Sequence, residues 1–211
     1  MNSTRHIIFG LDGTLVDSLP GIEWSVREAL ALCGLPPLSM SLKPLIGSPI
    51  RSVLAELPGV SGPEALDRLE QGFRLSYESE GWRKTDCYPG VRDVLWRLLT
   101  GGDGLYVVTN KPFKPASRIL RELKLDGFFR EIVCRDSRIP PYASKTEALS
   151  ELLLRHGLAP DGCLLVGDTR EDASAAQAAG MHSAIVEHGY GGADIHQATV
   201  SFRSLAAKMA A

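Results

Sequence analysis

Short apolar runs alternate with amphipathic stretches along most of this chain. Ile7, Ile8 and Phe9 form a run that stops at Gly10 and enters the turn Asp12-Gly13-Thr14. Such a run reads as a short buried strand. Similar runs at 105–108, 131–134, 163–166 and 183–186 predict four more strands. Helical spacing between them predicts helices over 91–99, 115–123, 145–156 and 170–179, and a last one over 202–209. Ser144, with Glu147 three residues on, reads as a capping box for 145–156. Gly180 closes 170–179. Strands alternating with helices imply parallel βαβ units, whose right-handed crossovers gather the strand C-termini on one rim.

One stretch interrupts the alternation. Ile22, Val26, Ala29, Leu30 and Cys33 recur at helical spacing over 21–33, and 49–57 and 63–77 read as two further helices. Ser61 suits the cap of the last of these and Pro63 its first turn. Tyr88-Pro89-Gly90 marks the return to the α/β pattern. The fold class is therefore α/β: a Rossmann-like parallel-sheet core (residues 1–17 and 86–211) with a small all-helical domain (18–85) inserted after the first strand.

Charge narrows the partners. A formal net charge of −2 with scattered basic residues provides no field for nucleic acid or a membrane surface. Cys33, Cys87, Cys134 and Cys163 lie far apart, without zinc-site or disulfide-framework spacing, which predicts a reducing cytoplasm. The first residues lack a signal-peptide pattern, and no apolar run is long enough to span a bilayer. The five histidines show no metal-ligand spacing. Asp17 reads as a turn or helix-start acid, and Trp24 and Trp82 as packing residues.

If the sheet is parallel, its rim collects Asp12, Thr109, Lys145, Asp168 and Asp172 in one crevice. Carboxylates suit a hard cation such as Mg²⁺. A lysine and a hydroxyl suit phosphate oxygens, and a carboxylate near a leaving oxygen can serve as acid and base.

The stretch Gly10 to Ser18, GLDGTLVDS, resembles the first motif of the haloacid dehalogenase superfamily, whose phosphatases read D-x-D-G-T-[LV]-x-D-S; only the first position differs. Thr109 in YVVTNKP resembles the second motif, Lys145 the third-motif lysine, and VGDTRED, with Asp168 and Asp172, the fourth. The resemblance implies a Mg²⁺-dependent phosphatase acting on a small phosphate monoester, with the helical insertion as a cap. It implies Asp12 as acid and base, and Thr109, Asn110 and Lys145 against the phosphate. Asp12, through its carbonyl, Asp168 and Asp172 are the implied metal ligands. Lys111 and Lys114 are fallbacks for Lys145. Arg51 is placed to reach a substrate carboxylate, although a surface arginine on a cap helix is the plainer reading. YPGV and NKP resemble the phosphoglycolate phosphatase branch, so phosphoglycolate is the expected ester.

Gly10 stands where the family carries its nucleophilic Asp. Glycine offers no nucleophile and removes a carboxylate from the metal shell, so turnover is expected to be strongly impaired. A phosphate-binding protein without catalysis and a phosphosugar mutase stay open beside the phosphatase. Dehalogenases of this superfamily lack the acid at Asp12. The phosphonate hydrolases need a cap lysine in a motif that the surroundings of Lys43 and Lys84 do not match. Monomer and homodimer both remain open.

Overall fold

The computed structural model describes residues 5–191 and the backbone of 199–200. Five apolar runs form β1 (His6–Phe9), β4 (Gly104–Thr109), β5 (Glu131–Cys134), β6 (Cys163–Gly167) and β7 (His182–Val186). A short β8 (Thr199–Val200) completes a six-stranded sheet of order β5-β4-β1-β6-β7-β8, parallel throughout. The chain leaves β1 toward β4 and β5 on one side, then crosses back to β6 on the other. That reversal beside β1 is the topological switch point at which open α/β sheets form their crevice.

Alternation along each strand divides the core into two layers. Ile7, Phe9, Leu105 and Val107 pack with Val94, Leu95 and Leu98 of α4 (Val91–Thr100) and with Ala116, Ile119 and Leu120 of α5 (Phe113–Glu122). Ile8, Tyr106, Val108 and Leu165 face Leu149 and Leu152 of α6 (Lys145–His156) and Ala175 and Ala176 of α7 (Arg170–Ala178). Full burial of one such aliphatic side chain contributes about 1.5–3 kcal/mol.

The insertion is helical and has its own core. In it, α1 (Leu19–Leu32), α2 (Ile50–Ala55) and α3 (Gly62–Ser79) bury Ile22, Val26, Leu54, Leu69 and Phe73 together. The start of α1 lies so close to the turn at Gly81 that a β-carbon on Gly21 would sit 2.1 Å from the Gly81 carbonyl oxygen. Two strands that local patterning does not reveal, β2 (Val16–Asp17) and β3 (Asp86–Cys87), pair antiparallel and form the neck of the insertion. Asp17 accepts from the backbone N–H of Leu19 (3.2 Å), as a helix-start acid does.

Two caps differ from expectation. Ser144 Oγ accepts from Glu147 N, but the Glu147 carboxylate reaches back to Ala143 N and Arg138, so the box is only half formed. The complete capping box lies on α7, between Thr169 and Asp172. Ser61 precedes α3 without a side-chain cap bond. The helix expected over 202–209 lies outside the described residues. All four cysteines are free, and among the described residues no helix is long and apolar enough to cross a membrane.

Candidate active site

The turn after β1 is shaped by its neighbours. Gly10 N donates to Val166 O (2.8 Å), extending the β1–β6 ladder by one residue. The chain then coils around the Leu11 carbonyl, which accepts from the N–H groups of Thr14, Leu15 and Val16. Gly13 sits at φ +77, where a β-carbon would lie 2.1 Å from Asp168 Oδ2. Glycine is therefore required here both for conformation and for the approach of Asp168. No carboxylate stands at Gly10: the Thr14 hydroxyl leans over it and donates to Asp168 Oδ1 (3.0 Å).

Asp12 and Lys111 form an ion pair, Nζ to Oδ1, at 3.0 Å, with side chains 15% and 6% exposed. Ser18 Oγ donates to the same carboxylate oxygen at 2.5 Å. Lys111 Nζ also lies 4.8 Å from the centre of the Tyr77 ring. Burial pulls the Lys111 ammonium down, but the Asp12 charge and the Tyr77 hydroxyl more than reverse this and leave it raised. Lys145 opens α6 and pairs with Asp172 in a second buried bridge. There too burial opposes both charges. The partner's charge prevails, raising Lys145 and, with the Thr169 hydrogen bonds, lowering Asp172.

Among the described residues, Asp168 has no cationic ion-pair partner of its own. Burial, then the charge of Asp172, pushes it up to about 7, against the opposing hydrogen bonds from Tyr190 N (2.9 Å) and Thr14 Oγ1. Thr109 ends β4, and its Oγ1 accepts from Lys111 N (3.1 Å), which leaves the hydroxyl proton for another acceptor. Asn110 donates its amide to Gly47 O of the insertion (2.8 Å) and to Glu171 (3.1 Å), so it ties the two parts of the chain together. Arg51 is engaged by Asp67 and Glu70 on α3.

These residues border one cavity of about 460 Å³ between the sheet rim and the helical insertion. Asp12, Thr109, Lys111, Lys145, Asp168 and Asp172 line its floor, and Ile46, Ile50, Phe73 and Tyr77 an apolar wall. Gly10 does not reach the cavity lining. Among the described residues, no three His, Cys, Asp or Glu side chains are grouped to hold a metal ion. Magnesium, however, commonly takes one or two carboxylates and completes its shell with water and substrate phosphate. Asp168, buried and short of positive charge, fits that minimal role. Asp172, whose oxygens are engaged by Lys145 and Thr169, would serve only as an outer partner to such an ion.

Three contributors lie beyond the expected site residues. Lys111, a fallback by sequence, takes a central place, and its position two residues past Thr109 is the signal that marks it. Tyr190 spans the chain: its N–H holds Asp168, while its hydroxyl accepts from Ser18 N (2.8 Å) and donates to Asp17 Oδ1 (2.8 Å). No local pattern marks Tyr190 or Thr14's bond to Asp168.

The chain is 34% identical over 192 residues to phosphoglycolate phosphatase 1 of Pseudomonas aeruginosa, covering 88% of this chain and 70% of that one. It is equally 34% identical to the tyrosine-protein kinase PtkA of Mycobacterium tuberculosis, covering 91% of this chain and 65% of the kinase. The crystal structure of a predicted phosphoglycolate phosphatase from Haemophilus somnus superposes with a TM-score of 0.80 at 30% identity, over 90% of this chain and 88% of that one. The profile of the haloacid dehalogenase-like hydrolases matches residues 7–186, and this chain belongs to that family.

Proposed function

We propose that this chain binds a small phosphate monoester in the rim cavity and hydrolyses it slowly. The observation that carries the reading is the convergence of Thr109, the Lys111–Asp12 pair, the Lys145–Asp172 pair and Asp168 on one cavity at the switch point. Phosphoglycolate is the first ester to try, because the P. aeruginosa relative is named for it. The same degree of identity to a protein named as a kinase means that similarity alone does not choose the reaction. The free cysteines support a reducing, cytoplasmic setting.

In this reading Thr109 donates to a phosphate oxygen, and Lys145 holds Asp172 in place while adding positive potential. Asp168, with Asp172 behind it, would hold Mg²⁺, which offsets phosphate charge when bound. With Gly10 beneath the site, no carboxylate attacks phosphorus. Water must attack directly: its oxygen forms the new P–O bond as the ester P–O bond breaks. Asp12, oriented by Lys111 and Ser18, takes the water proton on the attacking face, and the departing alkoxide on the opposite face takes its proton from solvent water. Loss of a covalent nucleophile typically lowers turnover by several orders of magnitude.

The position of Thr14 favours a second reading, a ligand-binding protein without turnover, since its hydroxyl stands 2.7 Å from where a nucleophile's β-carbon would lie and crowds it. Phosphate release from phosphoglycolate and an aryl phosphate, with Mg²⁺, separates the two. Slow release by this chain that rises strongly in Gly10→Asp supports the impaired phosphatase. No release by either protein, with the ester still bound, supports the binding protein. Rapid release by the unaltered chain would sink the claim of impairment.

A further inference from the structure

Six cationic side chains line the cavity: Arg51, Arg74, Lys111, Lys114, Arg135 and Lys145. Five are engaged by carboxylates. Arg51 pairs with Asp67 and Glu70, Arg74 with Glu70, Lys111 with Asp12, Lys114 with Glu78 and Lys145 with Asp172. Among the described residues, no ion pair or side-chain hydrogen bond engages Arg135. An arginine that borders a cavity and whose guanidinium has no carboxylate partner is an open receptor for an anion, and its planar fork suits carboxylate and phosphate oxygens alike.

Its place in the fold strengthens the case. Cys134 is paired in register with Thr109, so Arg135 follows β5 beside the point where Asn110 follows β4. The backbone there is held: Tyr142 N donates to Arg135 O (2.9 Å), and Asp136, the next residue, accepts from Phe113 N (2.7 Å). Arg135 is half-buried, so its charge acts with less screening than one on the open surface. Arg51, the arginine expected from sequence to meet a ligand, would first have to leave two carboxylates.

We infer that Arg135 binds an anionic oxygen of the ligand and so determines which esters this cavity accepts. The inference rests on reading the cavity as a phosphate-ester site. The two sources of such an oxygen are the phosphate itself and a second acid group on the same ester.

Calorimetric titration with inorganic phosphate and with phosphoglycolate, in Mg²⁺ buffer, tests it on the unaltered chain, Arg135→Gln, Arg135→Lys and Arg51→Gln. Arg135→Gln is expected to weaken binding about tenfold or more, as for loss of a charge-assisted hydrogen bond. Arg135→Lys recovers part of the loss, and Arg51→Gln changes affinity less than Arg135→Gln. A loss for both ligands identifies the phosphate as the group bound; a loss for phosphoglycolate alone identifies the carboxylate. Unchanged affinities in both Arg135 variants, with the unaltered chain binding normally, overturn the inference and leave the site reading intact. If the unaltered chain binds neither ligand, the site reading itself falls and takes this inference with it. Should Arg135→Gln not fold, Arg135→Lys decides alone: weaker binding than the unaltered chain supports the inference, and unchanged binding overturns it.

Discussion

The Thr14 hydroxyl stands 2.7 Å from where a β-carbon on Gly10 would lie. Thr14 is fully buried and donates to Asp168, so it cannot yield without loosening the Asp168 carboxylate. Glycine here is therefore packed into place. Gly10→Ala is expected to cost about 1–3 kcal/mol, in the range for overpacking a close-packed core. Thr14→Ser, which removes the methyl and frees the hydroxyl to rotate, should relieve part of that cost in the double variant. Urea unfolding of the three variants measures it. A neutral or stabilising Gly10→Ala would mean that Thr14 turns aside freely.

The Lys111–Asp12 pair makes a directional prediction. Asp12 retains Ser18 as a donor and some exposure when Lys111 is removed. Removing Asp12 instead strands the more deeply buried ammonium. Breaking a buried pair from one side costs about 3–5 kcal/mol. Asp12→Ala should therefore destabilise more than Lys111→Met, and the double variant less than the sum of the two. A double-mutant cycle reports the coupling. Additive losses would contradict the pair as a unit.

Much of this architecture can be read locally. The strand cores and α6, whose bounds coincide with the expected 145–156, follow from side-chain period and from signals within a few residues of each end. The neck is not legible in this way. Its strands are two residues each, and Val16 meets Cys87 across the entire insertion. The site divides similarly. Its residue types and strand ends carry sequence signals, whereas the pairing of Lys111 with Asp12 is a contact across 99 positions. Tyr190 reaching Ser18 spans 172. Arg51 reads as available in the sequence because its partners sit on another helix, which periodicity does not orient against it.

Asp168 makes stability depend on pH. Its folded-state pKa, about 7, lies above the unfolded value near ~3.9. The folded chain therefore binds this proton more tightly than the unfolded chain does. The stabilising contribution is fully present below pH ~4 and is lost as pH rises through about 7. In chelator, melting temperature should fall between pH 5 and pH 8 on this account, and Asp168→Asn should flatten that slope. Mg²⁺ at pH 8 should restore stability to the parent and not to Asp168→Asn, because the cation takes over the proton's role. An identical slope in the variant would remove Asp168 as its source.

One of the contacts that hold the insertion over the cavity is small. Asn110 donates to the carbonyl of Gly47, whose φ of +116 is open to glycine and strained for other residues. A β-carbon on Gly47 would also lie 3.3 Å from the Thr169 methyl. The loop thus approaches the rim by virtue of lacking a side chain, and Asn110 secures it. Asn110→Ala removes the bond to Gly47, worth about 0.5–1.5 kcal/mol, and with it the exposed bond to Glu171, together too little to unfold either part. It is enough to raise the population of open insertion by roughly two- to tenfold. Amide exchange at 46–48 should accelerate by that factor while the core strands stay protected. Ligand affinity should change little while the closed form still dominates, since apparent affinity scales with the closed fraction and not with the open one. Unchanged exchange at the loop would show that packing of Phe73 and Tyr77, and not Asn110, sets the closed position.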